Sequence, residues 1–272
     1  MPQSTELAAA GLDLFDRHVE ISRHDHAGGD FDDGYYLGHR ERFARTLSLI
    51  PAADGNGSAL EIGATAFFQV TLHCLFGYGF VAGTEQNTDI SRKLYRKPIR
   101  LADLEVENLT LSIDVESDIF PFADGSLDFV MCCEVIEHLD VDPMFMIAEI
   151  NRVLRPEGRL LLTTPNACSS RSVWKILQGY RPHFHMQYSR SRTPYRHNFE
   201  YDVHGLVALA DAGGFVVEHL STHDVFEPPE PAALGILKNQ DLPTEYRGDD
   251  VFLLLRKQGP VVDRWPSNIY VD

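Results

Sequence analysis

The sequence predicts an α/β fold in which a mostly parallel sheet of seven strands carries helices on both of its faces. From residue 58 to residue 256, short apolar segments typical of buried strands alternate with longer segments typical of helices. This alternation is the pattern of chains in which each helix returns the chain to the same end of a parallel sheet. The strands are expected at residues 59–62, 80–84, 109–113, 127–132, 159–164, 215–220 and 251–256.

Capping residues mark the expected helices. Asp142 and Pro143 provide an N-cap and a first-turn proline for one helix, which would end near Leu154. Asp202 can cap a second, over residues 203–212, before a Gly-Gly pair that would end it. A third helix is expected over residues 65–78, directly after the first strand.

The main domain is predicted over residues 58–258, preceded by a helical or lid segment, 1–57, and followed by a tail, 259–272. The Gly- and Asp-rich segment 24–34 predicts a surface loop within the first of these. The segment 167–200 is rich in Tyr, Trp, His and Arg and is too long for a plain connection. We expect it to form a cap over the carboxyl ends of the strands. The alternative is a segment that packs against the domain without contacting a ligand, which would have the same composition.

Composition limits the classes of function. The 272 residues carry a net charge of −16, which argues against a nucleic-acid groove and against binding to an anionic membrane surface. No apolar run reaches the length of a membrane span, and the four cysteines are expected to be reduced thiols. A cytoplasmic protein acting on a small molecule or an oligosaccharide is expected, with no nucleic-acid or membrane partner. Whether it forms a homo-oligomer is left open.

Acidic residues end three successive strands. Glu61 lies near the end of the first strand, two residues before Gly63, and Glu85 ends the second. Asp114 and Glu116 follow the third. Each of these acids alone is more often a turn or capping residue, but carboxylates at neighbouring strand ends can accept hydrogen bonds from the hydroxyls and amine of a nucleoside. The glycine would let a ligand approach the backbone closely.

A second group of polar residues follows the strand at 127–132. Glu134, Glu137 and His138 are spaced so that a helix beginning here would carry them on one face. Such a group could hold a divalent metal ion, supply a base, or brace a loop. The residues themselves leave these three alternatives open.

Several motifs together resemble the class I S-adenosylmethionine-dependent methyltransferases. The resemblance implies the Rossmann-like fold of that family with S-adenosylmethionine as cofactor. The sequence departs from the family's glycine-rich loop at Thr65 and Phe67, where further glycines are usual. The motifs are Leu60-Glu-Ile-Gly63, Gly83-Thr-Glu85, Asp114 to Asp128, Glu134-Val-Ile-Glu-His138, Ile150 to Gly158 and Thr163-Thr-Pro-Asn166. By resemblance, the cofactor would be bound by Glu61 and Gly63 near the methionine, Glu85 on the ribose, Asp114 or Glu116 near the adenine, and the backbone of Cys133 facing the methionine end.

A second resemblance concerns a metal ion. The sequence Glu134-Val-Ile-Glu-His138 with the later His197-Asn-Phe-Glu-Tyr201 is similar to the metal-dependent small-RNA 2′-O-methyltransferases, and ubiquinone-pathway O-methyltransferases carry a similar first motif. The resemblance implies that Glu134, Glu137, His138 and His197 bind Mg²⁺ or Mn²⁺, and that Glu137 and His138 take part in catalysis. The alternative is a metal-free signature of the fold, with His138 or a histidine of the cap (His183, His185) acting as base.

The acceptor is expected to be a hydroxyl of a sugar. The segments Gly179-Tyr-Arg-Pro182 and Arg196-His-Asn-Phe-Glu-Tyr201 resemble bacterial polysaccharide O-methyltransferases, and enzymes of actinobacterial methylmannose polysaccharides are one candidate group. A small phenolic or quinone-type acceptor is an alternative. An NAD-dependent sugar-modifying enzyme or a non-catalytic S-adenosylmethionine-binding subunit are alternatives of another class, although the chain lacks a Gly-x-Gly-x-x-Gly motif.

Overall fold

The computed structural model describes residues 2–25, 33–86, 93–182 and 196–271. The chain divides into two compact units, the first formed by residues 1–114 with 126–131 and the second by residues 115–125 with 132–272. The helices are α1 (Pro2–Asp25), α2 (Asp33–Leu49), α3 (Ala66–Cys74), α4 (Pro143–Val153), α5 (Ser170–Leu177), α6 (Val203–Ala212) and α7 (Pro231–Asn239). The strands are β1 (Gly57–Ile62), β2 (Tyr78–Gln86), β3 (Lys93–Leu101), β4 (Leu104–Ile113), β5 (Leu127–Cys133), β6 (Leu154–Pro165), β7 (Phe215–His223) and β8 (Asp250–Lys257).

The first unit is built on strands in the order β3-β4-β2-β1-β5. β1 pairs in parallel with β2, placing Leu60 opposite Ala82, and β2 pairs in parallel with β4. β3 pairs with β4 as an antiparallel hairpin from Lys93 opposite Ser112 to the turn after Leu101. Because β1, β2 and β4 run in the same direction, their carboxyl ends lie at one edge of the sheet.

An aromatic cluster forms the core of this unit beside the sheet. Phe15 of α1, Phe43 of α2, and Phe67 and Phe68 of α3 are buried, and neighbouring ring centroids lie 5.0–5.5 Å apart. These separations are in the range of favourable edge-to-face and tilted ring contacts. The cluster fixes α3, whose amino end follows β1, and thereby positions the loop at the end of that strand.

The second unit contains the end of β5 and the strands β6, β8 and β7, in that order. β8 is antiparallel to both β6 and β7. Asp142 caps α4 by accepting from the Phe145 N–H at 3.1 Å, and Pro143 occupies the first turn as the sequence predicts. Asp202 caps α6 in the same way, accepting from the Gly205 N–H at 2.9 Å.

The α/β fold class predicted from the sequence is confirmed, with three corrections. The sheet has an eighth strand among the described residues, β3, which the sequence analysis missed because four of the nine residues of Lys93–Leu101 are charged and they form neither a continuous apolar run nor a regular alternation. The helix expected over residues 65–78 ends at Cys74, since Tyr78 already begins β2. The loop expected over residues 24–34 is wrong at its ends, because α1 continues to Asp25 and α2 begins at Asp33.

The predicted cap is described only in part. Residues 170–177 form α5, whereas residues 183–195, including His183 and His185, lie outside the described residues. The cap over the strand ends and the predicted domain boundaries therefore stay predictions. No helix within the described ranges is long and apolar enough to cross a membrane.

Candidate functional site

Glu61 is a buried acid at the end of β1, with 2% of its surface exposed. Its Oε1 accepts hydrogen bonds from the backbone N–H and the hydroxyl of Thr65, at 2.9 and 3.0 Å. Its Oε2 is buried without a hydrogen-bond partner. Burial raises the pKa of Glu61 to about 8, because the ionised form loses its hydration and the two bonds from Thr65 offset only part of that loss. A buried carboxyl group with one oxygen lacking a hydrogen-bond partner is suited to a ligand that carries a hydrogen-bond donor or a positive charge.

The backbone between β1 and α3 makes a tight turn at Gly63, where φ is +71°. The Gly63 N–H donates to the hydroxyl of Thr84 in β2, at 3.0 Å. The next strand also approaches closely, since a Cβ on Gly83 would lie 2.5 Å from the Cβ of Ala64. Glycines at these two positions allow the conformation and the close approach that this turn requires.

Thr65 and Phe67 stand where further glycines are usual in the family that the sequence resembles, and both have structural roles. Thr65 is the N-cap of α3, accepting from the Phe68 N–H at 3.2 Å. Phe67 is buried in the aromatic cluster against Phe15 and Phe43. Helix capping by Thr65 and core packing by Phe67 thus account for these two residues inside the first unit.

Glu85 lies near the end of β2 and already has two partners. Its Oε2 accepts from the ammonium of Lys97 at 2.6 Å, and its Oε1 accepts from the hydroxyl of Tyr95. The hydrogen bonds from Lys97 and Tyr95 hold the pKa of the Glu85 carboxyl below its usual value, so the group is ionised near neutral pH. Both partners belong to β3, the strand that the sequence analysis missed, and no motif pointed to them.

The two acids that follow β4 have different surroundings. Asp114, in the first unit, is exposed directly after the strand. Glu116, in the second unit, accepts from the backbone N–H groups of residues 140, 141 and 142, at 2.8–3.2 Å. Three donors on one carboxylate make Glu116 a brace of the loop before α4, and the contact of Asp114 or Glu116 with the adenine stays a prediction. Cys133 is the last residue of β5 and is half-buried.

A cluster of possible metal ligands lies in the second unit. Ligand atoms of Glu137, His138 and His197 all lie within 4.8 Å of one another, and no other group of this kind occurs within the described residues. Glu137 is 1% exposed, and its Oε2 accepts from the hydroxyl of Thr164 in β6 at 2.9 Å. Its Oε1 lies 3.7 Å from Nε2 of His138. We refer to these three residues, Glu137, His138 and His197, as the 137–138–197 cluster.

The two histidines of the cluster are oriented through their Nδ1 atoms. Nδ1 of His138 lies 3.1 Å from the backbone carbonyl oxygen of Arg196, and Nδ1 of His197 lies 2.8 Å from Oε1 of Glu200. Both partners are acceptors, so each Nδ1 carries the hydrogen in the neutral ring and Nε2 has the lone pair. The rings meet edge to face with centroids 5.0 Å apart.

Backbone and amide contacts join the two sequence segments that supply the cluster. The carbonyl oxygen of Glu137 accepts from the N–H groups of Asn198 and Phe199, at 2.7 and 3.2 Å. The side-chain amide of Asn198 donates to the carbonyl oxygen of His138 at 2.8 Å. These bonds hold His197 beside the turn that carries the other two ligands, some 60 residues earlier in the chain.

Glu134, the fourth ligand suggested by resemblance, is not a member of the cluster. The prediction that Glu134, Glu137 and His138 share one helical face is wrong. Only Ile136–His138 forms a single 3₁₀ turn, and Glu134 precedes it in a left-handed conformation with φ of +56°. Oε1 of Glu134 accepts a hydrogen bond from the hydroxyl of Thr163 at 2.6 Å, and the backbone N–H of Glu134 donates to the carbonyl oxygen of Thr163 at 2.9 Å.

Comparison with known proteins agrees with this architecture. Residues 73–162 match the family model described as a methyltransferase domain. An S-adenosylmethionine-dependent methyltransferase from Archaeoglobus fulgidus superposes with a TM-score of 0.52 at 15% identity, covering 82% of this chain and 99% of that one. The fold is that of the S-adenosylmethionine-dependent methyltransferases. A second such enzyme, from Thermotoga maritima, gives a TM-score of 0.50 at 19% identity, covering 83% of this chain and 94% of that chain.

One curated relative is similar in sequence over part of its length. The malonyl-[acyl-carrier protein] O-methyltransferase of Alcanivorax borkumensis is 34% identical over 101 residues. The match covers 36% of this chain and 33% of that protein, so the chain spans about a third of the relative it matches.

Proposed function

We propose that this protein is an S-adenosylmethionine-dependent O-methyltransferase in which the 137–138–197 cluster binds a divalent metal ion that assists the acceptor hydroxyl. The observation that carries the proposal is the cluster itself. A buried carboxylate and two imidazoles, each oriented by a hydrogen bond, offer ligand atoms within 4.8 Å of one another. Carboxylate oxygens and imidazole nitrogens are common ligands of divalent metal ions in proteins.

The first unit offers groups that fit the methyl donor. The buried Oε2 of Glu61 lacks a partner, and the ammonium of the methionine part of S-adenosylmethionine could supply one. Glu85 is ionised, and its carboxylate has lone pairs for ribose hydroxyls beyond those used by Lys97 and Tyr95. When bound, S-adenosylmethionine supplies an electrophilic methyl group, and the products are the methylated acceptor, S-adenosylhomocysteine and a proton.

The donor set of the cluster favours a transition metal such as Mn²⁺ over Mg²⁺. Two imidazole nitrogens and one carboxylate oxygen suit Mn²⁺ better, because Mg²⁺ prefers oxygen ligands almost exclusively. Glu137, His138 and His197 would hold the ion, and a bound ion could also accept oxygen ligands from water or substrate. Such an ion lowers the pKa of a bound hydroxyl, which makes an otherwise poor nucleophile reactive near neutral pH.

The protein's own residues have defined tasks in this proposal. Thr164 fixes one oxygen of Glu137 and so directs the other toward His138. The carbonyl of Arg196 and the carboxylate of Glu200 keep Nε2 of the two histidines available as ligand atoms. Because these partners are set before any ligand arrives, little reorganisation is needed when an acceptor binds.

A sugar hydroxyl is the acceptor that we favour. If the cluster holds an ion, neighbouring hydroxyls of a sugar, as in a mannoside, would supply the kind of oxygen ligand that such an ion binds. A neutral acceptor also avoids the repulsion that an anionic substrate would meet from a chain of net charge −16. The resemblance of the segments 179–182 and 196–201 to polysaccharide O-methyltransferases points the same way.

A carboxylate carried on a carrier protein is a second candidate acceptor. The partial match to an enzyme named for methylating malonyl-[acyl-carrier protein] favours it. A carboxylate is already ionised at neutral pH and needs no metal ion to become a nucleophile. Metal dependence therefore separates the two candidates.

The test is transfer of an isotopically labelled methyl group to a panel of neutral oligosaccharides, including mannosides, and to malonyl-carrier protein. Each reaction is run as purified, with EDTA, and with EDTA followed by excess Mn²⁺. We expect transfer to an oligosaccharide that EDTA abolishes and Mn²⁺ restores, and that Glu137→Gln lowers at least 100-fold. His204→Ala, an exposed histidine on α6, is the matched control and should leave the rate unchanged. Transfer that is insensitive to EDTA would refute metal assistance, and transfer to the carrier-linked carboxylate alone would support the second candidate.

A further inference from the structure

We infer that Glu200 is the positioning residue of the metal centre: its carboxylate orients His197 and strengthens its Nε2 as a metal ligand. This inference rests on the proposed function, since it concerns the same cluster. Glu200 was not among the candidate site residues, although the segment Arg196-His-Asn-Phe-Glu-Tyr201 contains it.

The geometry of the pair supports a positioning role. Oε1 of Glu200 lies 2.8 Å from Nδ1 of His197, and the two side chains are 2% and 7% exposed. A carboxylate can only accept here, so the imidazole donates from Nδ1 and its Nε2 bears the lone pair. The negative charge next to Nδ1–H also raises the electron density of the ring, which strengthens Nε2 as an electron-pair donor to a metal ion.

The backbone on both sides of Glu200 is fixed. The N–H groups of Asn198 and Phe199 donate to the carbonyl oxygen of Glu137, and the Tyr201 carbonyl accepts from the Ala167 N–H at 2.9 Å. The carboxylate is therefore held from two sides against a histidine that is itself part of the cluster. Rigid support of this kind is what keeps a ligand within a few tenths of an ångström of its working position.

A purely structural ion pair is a weaker explanation. A buried pair of charged groups gains little net stability, because removing both from water costs about as much as their attraction returns. An apolar pair of the same volume would fill the space equally well. Metal-binding histidines usually donate a hydrogen bond from their second ring nitrogen to a carboxylate or carbonyl group. Glu200 is such a carboxylate, because it lies at Nδ1 of His197, whose Nε2 is the candidate ligand.

The experiment measures Mn²⁺ affinity by electron paramagnetic resonance for the wild-type protein, Glu200→Gln and Glu200→Asp. Glu218→Gln is the matched control, because Glu218 in β7 pairs with Arg159 away from the cluster. We expect Glu200→Gln to raise the Kd for Mn²⁺ about 10- to 100-fold, since outer partners of metal-binding histidines have effects of this size. Glu200→Asp should recover part of the affinity, and Glu218→Gln should bind as the wild type does.

A second readout does not depend on metal or on folding of a variant. Nitrogen-15 NMR of the metal-free wild-type protein should show His197 with its hydrogen on Nδ1; a hydrogen on Nε2 alone would overturn the inference. If the wild-type protein binds no Mn²⁺, the metal centre of the proposed function is refuted, and so is the role of Glu200. Tight Mn²⁺ binding by the wild type, with a Kd for Glu200→Gln within twofold of it, would overturn the role of Glu200 alone.

Discussion

The buried acid Glu61 leads to a specific prediction about cofactor binding. Its pKa is raised to about 8 in the ligand-free protein, mainly by burial. If the ammonium of S-adenosylhomocysteine pairs with Oε2, the ionised form becomes favoured and the proton leaves as the ligand binds. A pKa of about 8 means that about 0.9 of a proton is held at pH 7 and released on binding.

The same linkage sets how affinity changes with pH. The ionised fraction of Glu61 in the free protein rises roughly ninefold from pH 6 to pH 7, so the affinity for S-adenosylhomocysteine should rise by about that factor. Glu61→Gln keeps the acceptor for Thr65 but has no titrating group, so its affinity should be lower at pH 7 and nearly constant over this interval.

Calorimetric titration with S-adenosylhomocysteine in phosphate and in Tris at pH 7 measures the released proton directly. The observed enthalpy should differ between the buffers for the wild type and agree for Glu61→Gln. Wild-type protein that binds the ligand without releasing a proton would refute the pairing of Glu61 with the ammonium group.

The stability of the ligand-free protein depends on Glu61 in the same pH range. In the unfolded chain the carboxyl titrates near 4.5, whereas in the folded protein it titrates near 8. Between these values the folded state binds more protons than the unfolded state, so the free energy of unfolding falls as pH rises from about 4.5 to about 8. Urea unfolding should therefore show that Glu61→Gln loses less stability than the wild type between pH 5 and pH 8, and equal losses would contradict this.

Two further predictions concern a charged group in each unit. Glu85→Ala should weaken binding of S-adenosylhomocysteine about 10- to 100-fold by calorimetry, because hydrogen bonds to a charged acceptor contribute about 1.5–3 kcal/mol each. Glu105→Ala, an exposed acid on β4, should bind as the wild type does. Arg152→Met should lower the free energy of unfolding by about 2–4 kcal/mol in urea, since its guanidinium donates to the carbonyls of residues 120 and 122 as well as to Glu149. Lys238→Met, on the exposed end of α7, should change it by less than about 0.5 kcal/mol.

The sequence predicted the parts of the fold that have local signals. Asp142 and Asp202 were identified as helix caps because a side chain that accepts from the third following N–H is a short-range interaction. β3 was missed because its residues are mostly exposed at a sheet edge and lack the apolar run of a buried strand.

The candidate site was predictable in its residue types but not in its geometry. The helical spacing of Glu134, Glu137 and His138 suggested one face, but the left-handed conformation at Glu134 precedes a turn of only three residues. The pairing of Tyr95 and Lys97 with Glu85 depends on the missed hairpin, so no local pattern could show it. Contacts between segments about 60 residues apart are decided by tertiary structure.

Titration of the metal-free protein with Mn²⁺, followed by electron paramagnetic resonance, tests the metal centre directly. We expect one bound ion per chain in the wild type and in His204→Ala, and none at the same Mn²⁺ concentration in Glu137→Gln or His197→Ala. Equal binding by all four proteins, or no binding by any of them, would contradict the claim that the 137–138–197 cluster is a metal centre.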